Sequence, residues 1–270
     1  MSRTLPLVTL TFSEIASQRV YRILLGVLLL VPWLMLIPAS LFMFDIGKVL
    51  IDLLFTALHA SLLIFLFFMA APLIARDIEQ GSCHIFLTLP MRRGRYLSAR
   101  FVGLIVALMP LFAAYALSAS LTLTFAESHW AAFYVAPHSV PLFDYGAALI
   151  LMPYLALTAV LFLIAAAATG LPETMVFLFS VWLLCWSLPP VLGALLQAEV
   201  AAKTPTWIGT LLQTVNQLLP DLSSSRISLY LAHGKKLGIE AVAGYCLQHL
   251  AYALLAMMLA VILFKRRDLT

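Results

Sequence analysis

The chain has 270 residues, a formal net charge of +4, 63% hydrophobic residues and only 10% charged ones, with a mean hydropathy of +1.04. That profile excludes a soluble globular domain, in which about half the residues are apolar, and so small a positive charge gives no reason to expect nucleic-acid binding. Six apolar blocks reach the roughly 20 residues a helix needs to cross a bilayer. The alternating segments of a membrane barrel are absent, so an all-α polytopic membrane protein with six transmembrane helices is expected.

In chain order, residues 4–22 mix apolar and polar positions. Leu5, Val8, Phe12 and Ile15 form one stripe at helical spacing, and Pro6 suits a first turn, so an amphipathic helix in the membrane interface is predicted. No cleavage pattern marks this region as a signal peptide. The spans are predicted at about 23–44, 51–75, 99–125, 145–169, 173–200 and 241–264, in one membrane domain covering 1–270. The turn between the fourth and fifth is only Gly170–Glu173, in which Gly170 can end a helix and Pro172 can start one. Pro189–Pro190 should kink or end the fifth and is a hinge candidate. In the outer segment, 201–240, Ile208, Leu211, Leu212, Val215 and Leu218 repeat at helical spacing. They predict a short helix in the outer leaflet, with a second further on that Gly234 ends.

Threading the spans with the N-terminus inside places eleven of the sixteen basic residues on the cytoplasmic side, the distribution that sets orientation. Both termini and the 76–98 segment are then cytoplasmic. This segment opens as RDIEQGSCHIFLTLP, read as a short helix with Ile78, Ile85, Phe86 and Leu89 on one face and Arg76, Asp77 and Glu79 on the other. Pro90 breaks it. Arg92, Arg93, Arg95 and Arg100 follow, placed to meet lipid phosphates. Anchoring explains the arginines but not the ordered alternation before Pro90.

Chemistry-bearing motifs are scarce. No Walker pattern, HExxH, GxSxG or His/Cys cluster occurs, so no catalytic residue and no enzyme activity is expected. The three cysteines, Cys83, Cys185 and Cys246, have no metal-ligand spacing. His59 and His249 are the weak candidates for a metal or proton site. A neutral imidazole bonded to a neighbouring helix is the simpler reading, since neither has a second ligand at helical spacing.

The run R-D-I-E-Q-G, F-L-T-L-P, R-R-G-R-Y resembles the inner loop of permease subunits of ATP-binding-cassette exporters of the second permease class, especially the branch linked to multi-copper enzyme maturation. TFSEIASQRVYRILL is similar to that family's elbow helix, FKRRDLT to its ending and LLPDLSSSRISLYLAHG to the segment before its last span. The resemblance implies a permease half in a bacterial inner membrane that binds no cofactor itself. A second copy of the chain, or one related permease subunit, would pair with it, with spans two and five at the interface, and two P-loop ATPase subunits would carry ATP and Mg. Arg76, Asp77, Glu79, Gln80 and Gly81 would belong to a coupling helix that docks on the ATPase. The alternative it leaves open is a non-transporting mechanotransmitter or scaffold acting on a periplasmic partner protein.

Overall fold

A computed structural model describes residues 5–41, 46–79, 93–131, 139–196, 206–218, 222 and 238–266. Among them every regular element is helical, and six helices are long and apolar enough to cross a membrane: Arg19–Ser40, Ile46–Glu79, Arg93–His129, Val140–Ala167, Leu171–Leu195 and Ile239–Arg266. The protein is therefore an α-helical membrane protein with six candidate spans. Two helices are shorter, Leu5–Ser17 at the N-terminus and Thr206–Leu218. The latter covers the predicted outer helix and packs on the fifth span. The second predicted outer helix, ending at Gly234, lies outside the described residues.

The second and third spans begin five and six residues before the apolar runs do, because a helix continues through polar residues that neighbouring helices satisfy. The fourth span is the centre of the bundle: 67% of its apolar window is buried, against 22% for the first and fifth spans. Its most extensive pairing is with the sixth span. Ala156 and Ala159 meet Ala253 and Ala256 there, the small residues that let membrane helices approach closely. Outward-facing Leu30, Phe177, Leu254 and Met258 are well exposed, as residues facing lipid would be.

The N-terminal helix departs from the predicted stripe. Leu7, Thr11 and Ile15 are its buried line, Val8 and Phe12 are half-buried, and Leu5 is 65% exposed. The cause is a close approach to the third span at Gly103, where a Cβ would lie 2.5 Å from Cβ of Thr11. Contact at that point turns the i, i+4, i+8 line of Leu7 inward. Because the clash involves a β-carbon and not a flexible tip, Gly103→Leu should push the N-terminal helix off. Trypsin should then cut faster at Arg19 and Arg22 in nanodiscs; an unchanged rate would show that the helix docks without this contact.

Three of the spans carry a proline with a donor from another element close by. A proline removes its own N–H and its ring crowds the preceding turn, freeing carbonyls that a membrane leaves without water. Around Pro32, the Ser118 hydroxyl donates to the Leu29 carbonyl at 2.7 Å. Around Pro110, the Tyr21 hydroxyl donates to Ala107 at 3.0 Å. In the fifth span, the Leu222 N–H donates to Cys185 at 3.2 Å, and Cys185 is the residue whose usual donor would be position 189. The helix accordingly runs on through Pro189–Pro190 to Leu195 and does not end there. The second span also carries a π-helical stretch, Leu66–Ala70, which turns all that follows relative to a straight α-helix.

Candidate functional site

The site develops at the end of the bundle where the N-terminal helix packs and the sixth span finishes at Arg266. There the N-terminal helix, the last turns of the second span, the first turns of the third and the start of the fifth converge. Arg100 lies at the centre and is 1% exposed. One Nη is 2.6 Å from Oδ2 of Asp77, and the other is 2.7 Å from Oε2 of Glu14 and 3.1 Å from Oγ1 of Thr11. The Tyr96 hydroxyl donates to the same Asp77 oxygen at 2.9 Å and accepts a longer, 3.4 Å contact from Nε of Arg100.

The arrangement follows from helix geometry. Tyr96 and Arg100 are one turn apart on the third span and share a face. Asp77 is brought opposite them at the end of the second span, while the approach at Gly103 delivers Thr11 and Glu14. Arginine's planar fork can serve several oxygens at once, which a lysine could not do. Two carboxylates around one guanidinium leave an excess of negative charge, and Glu14, with 41% of its side chain exposed, keeps part of it in solvent.

Two predicted roles change here. Arg100, expected to face lipid phosphate, instead faces protein carboxylates, because the third-span helix starts at Arg93 and carries Arg100 two turns into the bundle. Asp77 is expected on an outward charged face with Arg76 and Glu79. The second-span helix continues to Glu79 without a separate helix beginning at Arg76, and Asp77 points inward with 11% of its side chain exposed. Arg76, Glu79 and Arg95 are exposed, and Arg93 is half-buried. Gln80, Gly81 and Arg92 lie outside the described residues.

Glu79 makes a second link. Its Oε2 accepts from the backbone N–H of Leu171 at 3.1 Å, the first residue of the fifth span. The first N–H groups of a helix have no partner within it and carry partial positive charge, so a carboxylate from the second span is well placed. Gly170 eases the approach: a Cβ there would lie 3.2 Å from the Glu79 carboxylate, a tight contact that a shift of the exposed side chain would have to relieve. Gly170 caps the fifth span with extended backbone and does not end the fourth, which stops at Ala167. Glu173 folds back onto the N–H and hydroxyl of Thr169, both at 2.7 Å.

On the far side of the 80–92 segment, Arg93 donates to the carbonyls of Phe264 and Lys265 at 3.5 and 3.2 Å, capping the sixth span. Tyr96 stacks on Phe264 beside it. Arg93→Ala should remove about 0.5–1.5 kcal/mol of local stability, read as faster hydrogen exchange at residues 263–266. Exchange identical to the parent would show the caps to be redundant.

The two histidines are apart from this region. Nδ1 of His59 is 3.0 Å from the Tyr154 hydroxyl on the fourth span. Nδ1–H of His249 donates to the Tyr245 carbonyl at 2.8 Å. Among the described residues no three His, Cys, Asp or Glu side chains form a group that could hold a metal ion.

Sequence reasoning missed Thr11, Glu14, Tyr96 and Gly103. One signal was present: an arginine inside a spanning helix needs partners, and Tyr96 stands at its i−4 position. A comparison with protein-family models finds no match for the chain, and a search of curated proteins finds none.

Proposed function

We propose that the chain is the membrane subunit of an ATP-driven exporter, worked by a separate P-loop ATPase that acts on the 80–92 segment. The observation that carries this reading is that both feet of the segment are clamped to other helices. Before it, Asp77 is bound to Arg100, and Glu79 to the start of the fifth span. After it, Arg93 is bound to the end of the sixth span, and Arg100 to the N-terminal helix. A push on this segment would reach the N-terminal helix and the second, third, fifth and sixth spans together. Such a link lets a nucleotide-dependent change in a partner move spans as a body.

The likeness of R-D-I-E-Q-G, F-L-T-L-P and R-R-G-R-Y to exporter permeases supports the same reading. Arg76, Gln80 and Gly81 are then the residues offered to the ATPase, which holds ATP and Mg in two copies. Asp77 and Glu79 carry the motion inward, and Arg95 is exposed to meet lipid headgroups. A second copy of the chain would face spans two and five, where Phe179 and Trp186 are about half exposed. Both termini are cytoplasmic in a bacterial inner membrane, and the cargo leaves the cytoplasm or the bilayer.

Cys83 lies in the segment and permits a direct test once Cys185 and Cys246 are replaced by Ala. A membrane-impermeant maleimide should label it in inverted vesicles and not in intact cells, and the ATPase should protect it. Labelling from outside, or equal labelling with and without the ATPase, would contradict the proposal.

A further inference from the structure

We infer that Leu222 sets the resting position of a hinge in the fifth span, formed by Pro189 and Pro190. A helix missing two successive N–H donors is weakest across the turn before them. Cys185 lies ten residues before the last residue, Leu195, about 15 Å along the helix axis, a depth at which water is not an available partner. Its carbonyl accepts instead from the backbone N–H of Leu222 at 3.2 Å.

The Leu222 side chain is 2% exposed, so this residue fills space as well as supplying the donor. Beside it lies an apolar cavity of about 40 Å³ lined by Pro153, Leu157, Val181, Cys185, Leu222 and Tyr252. The fifth span therefore has a break in its ladder, a foreign donor at that break and empty space next to it. Beyond the break, Val191 and Leu195 are exposed and Leu192 alone is buried, so Pro190–Leu195 has little side-chain packing of its own. Loss of the Leu222 bond frees that end to move about the break, and the cavity gives the turn carrying Val181 and Cys185 room to shift with it.

Hydrogen exchange across residues 191–196 in nanodiscs tests this without ATP or an ATPase, so failure here leaves the transport reading standing. Leu222→Pro deletes the donor and should raise exchange about fivefold, the worth of one net hydrogen bond. In a Pro189→Ala background the new alanine supplies the missing N–H, and the same change should have no effect. An equal rise in both backgrounds, or none in the parent, overturns the inference. Should Leu222→Pro disturb the whole bundle, seen as faster exchange in the first span, Pro189→Ala alone decides. It must slow exchange at 191–196, and an unchanged rate overturns the hinge.

Discussion

Replacing Arg100 by Met should destabilise the protein by about 3–5 kcal/mol, the usual result of removing one member of a buried ion pair. Arg100 is fully buried, so its loss leaves Asp77 desolvated with the Tyr96 hydroxyl as its remaining partner among the described residues, and the carboxyl must either stay charged at a cost or take up a proton. Arg100→Lys should recover only part of the loss, since an ammonium cannot reach Asp77, Glu14 and Thr11 together. Arg100→Met with Asp77→Leu should recover most of it, because an apolar pair of similar volume replaces a buried ion pair at little cost. Glu14 is solvated enough to tolerate the change. Thermal unfolding in one fixed detergent reads all three. Equal midpoints for the single and double variants would show that Asp77 is not the group Arg100 satisfies.

A second large effect is expected at Glu79. Glu79→Lys places an ammonium against the N-terminus of the fifth span, where the helix dipole and the unpaired N–H groups are both positive. The inner ends of the second and fifth spans should separate. On the proposed function, ATP turnover continues while motion of the fifth span is lost, measured as the nucleotide-dependent distance change between spin labels on the two spans. Glu79→Gln keeps an acceptor for the Leu171 N–H and should behave much like the parent. If both variants leave the distance change intact, the carboxylate is not the link; if Gln fails as badly as Lys, its charge acts elsewhere.

The helices themselves were legible in the sequence because apolar length is a direct consequence of bilayer thickness. Six blocks became six candidate spans, and the repeat of Ile208, Leu211, Leu212 and Val215 became a helix. What was illegible depended on neighbours. The continuation of the second span to Glu79 and the early start of the third at Arg93 rest on partners that only the packed bundle supplies, and these moved Asp77 and Arg100 from surface to interior. The N-terminal stripe rotated because Gly103 admits Thr11, a contact between residues far apart in sequence. The π-helical stretch at Leu66–Ala70 ends two residues before Pro72, whose missing N–H leaves the Phe68 carbonyl without its usual donor, a signal that was present in the sequence and passed over. Leu222 could have been suspected, since Pro189 frees the Cys185 carbonyl, but nothing local says which residue answers it.

The central claim is that the 80–92 segment is where an ATPase meets this protein. A photo-crosslinking residue at position 84, activated in native membranes, tests it most directly. The account predicts a covalent product with a P-loop ATPase, formed at position 84 and not at position 211 in the Thr206–Leu218 helix. A segment that crosslinks only to lipid, or to this chain itself, while the protein stays folded would contradict it.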